Sequence, residues 1–192
     1  MKIFIPVIVI SLVFFSCNNK SIRADEQTET AVEKPSFFPV TSYIKGQLYE
    51  IKEKAVNPLK YTIVKEHTDS VWLKAEDIEE AVKEFLHPEI DSANMVSLFT
   101  EKKFLDQSVD AYTFTYDPSA ILPDSMLLSR WDVYVDRVTG NVRRIYMVKN
   151  ISAGKMLQLT WQSNKWCKIT TIVTDQNGVS TVEKEEKITW DF

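Results

Sequence analysis

The second half of the chain alternates between apolar and polar residues in a series of short segments. Tyr112, Phe114 and Tyr116 alternate with Thr113 and Thr115, which places the two sets on opposite faces of a strand. The same alternation recurs over residues 131–136, 142–148, 157–161, 166–174 and 179–192. This pattern predicts antiparallel strands joined in a meander, each with one buried and one solvent-facing side.

Glycines mark two of the turns between these segments. Gly140 and Gly178, the second of which follows Asn177, can adopt the positive φ that tight hairpins require. Trp161 and Trp166 flank a further turn, and their registers allow them to lie on different faces of the sheet.

The first half of the chain contains two apolar stripes at helical spacing. One helix is predicted to begin after Ser36, with Pro39 in its first turn, and to end at Asn57. A second helix is predicted over residues 75–86, because it has an acidic first turn and is followed by a proline. A strand is predicted between the helices, over residues 59–67. The stripes comprise Phe37, Val40, Ile44, Leu48 and Ile51 in the first helix and Ile78, Val82 and Phe85 in the second.

These elements predict an α+β fold, with two helices followed by an antiparallel β-meander of about five or six strands in a single domain over residues 36–192. We expect one sheet face to hold the helices and the other to remain open. The hairpin sequence from Asp136 to Gly140 and the order of the elements resemble small periplasmic modules of the PepSY and lactamase-inhibitor types. No functional residue is transferred from this resemblance.

The first seventeen residues have the pattern of a targeting segment. Lys2 is followed by an apolar run over residues 3–15, then by Ser16 and Cys17. The run fits the apolar part of a secretion signal, about 7–15 residues, and is shorter than the ~20 needed to span a membrane. The segment resembles bacterial lipoprotein precursors, with Phe14 where that family usually has leucine. The resemblance implies cleavage after residue 16 and attachment of acyl chains, such as palmitate, to Cys17.

Residues 18–35 are polar and lack aromatics, so they cannot bury enough apolar surface to fold by themselves. We therefore expect residues 17–35 to be a lipidated cysteine followed by a flexible tether. The resemblance to lipoproteins implies an envelope protein whose partner is the membrane, reached through the N-terminal lipid. By resemblance to the sorting pattern of some Gram-negative bacteria, Asn18 in place of aspartate implies residence in the outer membrane, facing either the periplasm or the cell surface.

Composition narrows the class of partner. The chain has a net charge of −4 and no concentrated basic region, and both features argue against a nucleic-acid partner. An apolar fraction of 44% and an aromatic fraction of 11% suit a folded domain. Without Cys17, Cys167 is left without an internal disulfide partner, and its position on an apolar strand face predicts a buried, inert thiol.

The candidate chemical groups do not form a known motif. His67 and His87 lack metal-ligand spacing, so we interpret them as loop residues and predict no metal or cofactor. The acidic residues within 76–80 suit the dipole at a helix start. Asp132 and Asp136 share a strand face on which a cation could bind, although a polar outer face explains them equally well. The charged run over residues 183–187 predicts a sheet edge or strand end.

The five tryptophans are the main positive indication of function. Packing in the core explains most of them, and one or two exposed on the sheet would bind a protein, a glycan or a lipid. We expect a non-catalytic binding or accessory module anchored by lipid in the envelope. The alternatives are a small hydrolase with dispersed carboxylates and a carrier of an apolar ligand. Clustered buried carboxylates would favour the hydrolase, an internal cavity the carrier, and exposed aromatics the binding module.

Overall fold

The computed structural model describes residues 36–190, which form one antiparallel sheet with short helices packed against one of its faces. The helices are α1 (Val40–Glu53), α2 (Ile78–Ala81) and α3 (Lys83–Leu86), with a 3₁₀ turn at Ala75–Asp77 before α2. The strands are β1 (Leu59–Val64), β2 (His67–Trp72), β3 (Phe99–Asp106), β4 (Ala111–Pro118), β5 (Leu128–Asp136), β6 (Val142–Ser152), β7 (Lys155–Gln162), β8 (Trp166–Thr174) and β9 (Ser180–Thr189).

The nine strands form a single sheet in the order β2-β1-β9-β8-β7-β6-β5-β4-β3. Strands β3 to β9 follow one another as a meander. The β1–β2 hairpin comes earlier in the chain, yet β1 pairs with β9, so that β9 lies inside the sheet. The edges of the described sheet are therefore β2 and β3.

The predicted fold of two helices and five or six strands is wrong, because the described chain is dominated by nine strands. Edge strands β2 and β3 were not predicted. All six residues of β2 are exposed, and most of β3 is exposed as well. A strand that buries neither face has no apolar alternation, so the sequence carries no period-two signal there. The expectation of one helix-covered face and one open face agrees with the structure.

Helix α1 forms where its apolar stripe predicts it. Val40, Ile44, Leu48 and Ile51 are buried against the sheet. Pro39 precedes the first helical residue, and Ser36 makes no capping hydrogen bond. The predicted second helix is interrupted, since Val82 adopts φ −113° and separates α2 from α3. Its stripe is nevertheless buried as expected.

Polar contacts fix α1 against the sheet. Gln47 Oε1 accepts a hydrogen bond of 2.8 Å from the backbone N–H of Asn164, in the turn between β7 and β8. The Tyr43 hydroxyl lies 2.7 Å from Ser163 Oγ in the same turn. These contacts hold one end of the helix at a defined place on the sheet.

The helix-covered face carries the hydrophobic core. Trp161 lies at its centre, with its ring centroid 5.4 Å from Phe85 of α3 and 5.0 Å from Trp190. Trp131 stacks on Tyr116 at 4.5 Å in a second aromatic cluster. Residue Phe192, predicted to share this face with Ile188 and Trp190, lies outside the described residues.

The charged run over residues 183–187 is not at an edge, which corrects the prediction. It belongs to β9, which has β8 on one side and β1 on the other. Its charges are instead paired across strands. Lys60 of β1 contacts Glu186 at 2.6 Å, and Lys168 of β8 contacts Glu185 at 3.1 Å.

Tight turns occur at both predicted glycines, with φ of +72° at Gly140 and +80° at Gly178. Among residues 36–190, no helix has the length and apolar character needed to cross a membrane.

Candidate functional site

The sheet face opposite the helices, called here the open face, is crossed by one continuous row of side chains. Consecutive cross-strand pairs link one residue from each of the nine strands. From β3 to β2 the row is Phe104, Thr113, Tyr134, Arg144, Gln162, Trp166, Thr189, Leu59 and Trp72. Side chains that are directly paired lie on the same face. Strand spacing of about 4.8 Å makes the row roughly 38 Å long.

A second row runs beside the first, two residues along each strand, and it is more polar. From β3 to β2 it contains Lys102, Thr115, Asp132, Tyr146, Thr160, Lys168, Lys187, Tyr61 and Ser70. Aromatic, hydroxyl and charged groups therefore occur together along the open face. This composition differs from that of the helix-covered face.

Two grooves lie on these rows. The tyrosine groove, of about 450 Å³, is lined by Arg130, Asp132, Tyr134, Arg144, Tyr146 and Thr160. The tryptophan groove, of about 520 Å³, is lined by Tyr61, Ile63, Thr68, Lys165, Trp166, Glu185, Lys187 and Thr189. Both grooves are shallow and reachable from solvent. The β7 and β8 residues between them belong to the same two rows.

In the tyrosine groove, Arg144 lies on the ring of Tyr134, with Cζ 4.0 Å from the ring centroid. Among the described residues it has no carboxylate partner within 4 Å. Partial burial raises the pKa of the neighbouring Tyr146, and the charge of Asp132 raises it further. The Tyr146 hydroxyl is therefore neutral at physiological pH and able both to donate and to accept a hydrogen bond.

The other arginine of this groove is already paired. Arg130 Nη2 lies 3.2 Å from Asp132 Oδ1, which also accepts a 2.6 Å hydrogen bond from Thr115 Oγ1. Arg130 also faces Asp117 at 3.9 Å. Asp132 thus holds Arg130 in place, and this pair leaves Arg144 as the cation available to a ligand.

The tryptophan groove repeats this arrangement with different residues. Lys187 lies over the ring of Trp166, with Nζ 5.1 Å from the centroid, and it too lacks a carboxylate within 4 Å in the described chain. Lys168 beside it pairs with Glu185. Tyr61 is 36% exposed on the far side of the groove. Each groove therefore contains a cation resting on an aromatic ring. The second cation of the tyrosine groove, Arg130, is held in an ion pair, whereas the second lysine that lines the tryptophan groove is Lys165.

Both histidines are exposed, but the prediction that they lie in loops is wrong for His67. His67 opens β2, and His87 directly follows α3. Across the described part of the chain, no three histidine, cysteine, aspartate or glutamate side chains are grouped closely enough to hold a metal ion.

The acidic residues before and within α2 bind different lysines: Glu79 lies 2.9 Å from Lys52, and Glu80 lies 2.6 Å from Lys83.

Asp132 and Asp136 do not form a cation site. Asp132 is buried beside Arg130, whereas Asp136 sits at the β5–β6 turn. There it accepts hydrogen bonds from the backbone N–H of Thr139 at 2.8 Å and of Val138 at 3.0 Å, and these bonds lower its pKa. Each carboxylate therefore has a structural role that accounts for it.

Cys167 lies within the core, as predicted, and burial raises the pKa of its thiol. A raised pKa disfavours the thiolate and makes the side chain a poor nucleophile. The predicted lipidation site, Cys17, lies outside the described residues, as do the predicted signal peptide and the whole of the predicted tether.

One further groove, of about 380 Å³, opens near the start of the described chain at the rim of the helix-covered face. It is mostly apolar. Its lining includes Phe37, Phe38, Phe114, Val135 and Val142. At its inner end, the Tyr116 hydroxyl accepts a 3.3 Å hydrogen bond from the backbone N–H of Phe38.

Sequence reasoning found the separation of Trp161 from Trp166 but did not find the grooves. Arg144, Tyr134 and Lys187 occupy polar positions of alternating strands, where a solvated side chain is the ordinary expectation. Only the pairings of the strands from β5 to β9 show that these residues lie on one face, in two neighbouring rows.

Comparison with protein-family models, with curated proteins and with solved structures finds no match to this chain. Function must therefore be argued from the geometry of the open face.

Proposed function

We propose that this protein is a non-catalytic binding module, held in the bacterial envelope by a lipid on Cys17 and binding its ligand through the open face. One observation carries the proposal: two similarly built grooves, each with aromatic and hydrogen-bonding side chains, lie on a sheet face that no described helix covers. Aromatic side chains that are exposed on a rigid sheet supply contact area at small entropic cost.

The hydrolase alternative needs two carboxylates that share a buried site. Within residues 36–190, Asp132 is the only carboxylate among the buried side chains. Its nearest partners are Arg130, which lies in an ion pair with it, and Thr115, which donates a hydrogen bond to it. A carboxylate that is held in an ion pair, as Asp132 is, suits a structural role better than a role in proton transfer.

Co-sedimentation with separated envelope fractions tests the proposal. The chain from residue 17 onward, carrying Cys17→Ser, is mixed with glycan, lipid and protein fractions of bacterial envelopes. We expect retention by one fraction and loss of retention in the double variant Tyr134→Ala, Trp166→Ala. Tyr49→Ala, which removes an aromatic that is 63% exposed on α1, is the control.

The double variant must first be shown by urea unfolding to remain folded. If no fraction retains the wild-type chain, or if the double variant is retained as well as Tyr49→Ala, the open face is not the binding surface.

The anchor is tested separately. Cys17→Ala in the full-length precursor should abolish lipid labelling and stop processing at this position. Detergent-phase partitioning that is unchanged from the wild type would contradict the lipoprotein assignment. Membrane fractionation of the wild type then decides whether the protein resides in the outer membrane.

A second candidate function, the carrier, is favoured by the apolar groove at the rim of the helix-covered face. An apolar fluorescent probe, 1-N-phenylnaphthylamine, should bind there if the groove accepts acyl chains. Phe114→Asp would abolish that binding, whereas Trp166→Asp on the open face would not. Probe binding that both variants retain would exclude this groove as a carrier site.

A further inference from the structure

The two grooves of the open face are alike in chemistry although they share no sequence pattern. Each contains two aromatic side chains: Tyr134 and Tyr146 in one, Trp166 and Tyr61 in the other. Each also has at least one threonine hydroxyl, from Thr160 in the tyrosine groove and from Thr68 and Thr189 in the tryptophan groove. Repetition of one arrangement on a single surface suits a ligand whose own units repeat.

The unpaired cations indicate the charge of that ligand. On the open face, Lys102, Arg130 and Lys168 each lie within 4 Å of a carboxylate. Arg144 and Lys187 each rest on an aromatic ring and lie more than 4 Å from any described carboxylate, although Asp106 is near enough to Arg144 for the arginine's charge to lower the pKa of Asp106. A ring beneath a cation orients it without neutralising it. Both cations therefore remain able to pair with an anionic group on a ligand.

The remaining side chains favour a sugar over a lipid or a peptide. Thr160 lines the tyrosine groove and Gln162 lies between the grooves, and both can donate and accept hydrogen bonds. A pyranose presents hydroxyls at its edge and C–H groups on its faces, which match hydroxyl, amide and aromatic partners respectively. The grooves are too open to enclose an acyl chain. Thr68 of edge strand β2 borders the tryptophan groove, but the lining side chains of both grooves lie on the open face of the sheet and not along the free backbone edge where a peptide would add as a strand.

The separation of the two cations sets the length of the ligand. Arg144 on β6 and Lys187 on β9 are three strands apart, about 14 Å at ordinary strand spacing, and Lys187 lies two residues along its strand from the row of Arg144, so the two positions are roughly 16 Å apart. A single sugar cannot contact both. A chain of several sugars that lies across the strands can.

We propose that the open face binds a linear acidic glycan, with Arg144 and Lys187 each pairing with a carboxylate or phosphate group on a different unit of the chain. This proposal rests on the proposed binding function and adds the chemical class of the ligand. Binding at two grooves on one rigid sheet is bivalent, so the second contact forms at a high effective concentration.

Calorimetric titration with galacturonate oligomers of increasing length tests the proposal, with the chain from residue 17 onward carrying Cys17→Ser. Monogalacturonate should bind weakly. Affinity should rise about 100-fold or more once the oligomer spans both grooves, since bivalent contact commonly raises affinity by about 10²–10⁴. Dextran, a neutral chain, should bind at least about tenfold more weakly than polygalacturonate. A phosphate-linked glycan, polyribitol phosphate, distinguishes a phosphate requirement from a carboxylate requirement.

The variants are matched in charge. Arg144→Gln and Lys187→Gln should each remove the dependence on length and leave affinity close to that of a short oligomer. Lys103→Gln is the control: Lys103 also lies over aromatic rings, 5.0 Å from Phe114, but on the helix-covered side of the sheet. It should bind like the wild type.

Three results would overturn the inference. Polyglutamate or dextran sulfate binding as tightly as polygalacturonate would show that charge alone is recognised. An affinity that is independent of oligomer length would contradict the bivalent site. If an envelope fraction retains the protein through the open face while neither acidic glycan binds, the proposed binding function stands and the proposed class of ligand is wrong. If no fraction retains the protein, the proposed binding function itself is wrong.

Discussion

The two faces of this sheet are built from the same strands, but one packs into the hydrophobic core and the other is open and carries the grooves. Trp161 and Trp166 are separated by one hairpin turn, yet Trp161 is fully buried beneath α3 and Trp166 lines a groove on the open face. On the covered face, tryptophan indoles pack against other rings. On the open face, Trp166 and Tyr134 support cations. For these two tryptophans, the side of the sheet on which the ring lies thus decides whether it packs in the core or lines a groove.

The faces also differ in how they treat charge. Lys149 lies on the covered face, is 2% exposed and contacts Glu84 of α3 at 2.8 Å. On the open face, Lys168 and Glu185 form a pair of similar length in contact with water. Burial removes the solvent that would stabilise Lys149 by itself, so its partner matters more than that of Lys168.

The largest expected effect comes from the tryptophans. Trp161→Ala should lower the free energy of unfolding by about 3–5 kcal/mol, the usual cost of removing a buried ring. Trp166→Ala should lower it by less than about 1 kcal/mol, because the ring is partly exposed and little cavity results. Urea unfolding measures both. Equal losses would mean that the open face is also a structural core, and the comparison would fail.

The ion pairs give a smaller difference. Glu84→Gln leaves Lys149 buried without a charged partner and should cost about 1–3 kcal/mol. Glu185→Gln on the open face should cost less than about 1 kcal/mol, the usual value for an exposed pair. Lys149→Met, which removes the buried charge altogether, should be close to neutral. A Glu185→Gln loss as large as that of Glu84→Gln would contradict this reading of the open face.

One residue of the open face is expected to behave like a core residue. Thr113 lies between Phe104 and Tyr134, is 2% exposed, and its hydroxyl has no hydrogen-bond partner. Thr113→Val keeps the shape and removes an unsatisfied polar group, so stability should rise by up to about 1 kcal/mol. Thr160→Val, at a solvated position in the second row, should give no gain. Destabilisation by Thr113→Val would show that the hydroxyl has a partner, such as water.

The smallest effect concerns the turn that joins β5 to β6. Backbone hydrogen bonds from Thr139 and Val138 lower the pKa of Asp136, so its stabilising effect is complete above the ordinary aspartate pKa of about 3.9. That effect is lost as pH falls through the lowered value. Asp136→Asn should therefore shift the urea midpoint down at pH 7, and the gap from the wild type should close below about pH 4. A gap that is constant with pH would contradict the assigned hydrogen bonds.

The local alternation of apolar and polar residues was sufficient to predict the inner strands of the sheet but not its edge strands. Strands β4 to β9 and the stripe of α1 were predicted because each buries one face and therefore alternates at a fixed period. Strand β2 buries nothing, so its sequence resembles a loop. The run over residues 183–187 was assigned to an edge because its charges suit one. Its true position depends on β1, and no local pattern reports that pairing.

The candidate site was less predictable than the fold. The sequence identified exposed tryptophans as a condition for a binding surface without indicating which would be exposed, and Trp72 is 68% exposed. The row from Phe104 to Trp72 depends on eight pairings between strands, which a single sequence does not encode as a motif. Arg144 and Lys187 carried no signal, since a cation at an outward-facing strand position is ordinary.

The position of β9 has a consequence for the order in which the sheet can assemble. Leu59 and Thr189, which are paired across β1 and β9, are 130 residues apart in the chain. Until β9 is in place, the β1–β2 hairpin has no neighbour in the sheet and β8 has an unpaired edge. Closing a loop of that length is slow, and contacts between distant residues lower the rate of folding. Pairing of β9 with β1 and β8 therefore completes the sheet. The tryptophan groove needs both β1 and β9, so it does not exist before β9 has paired.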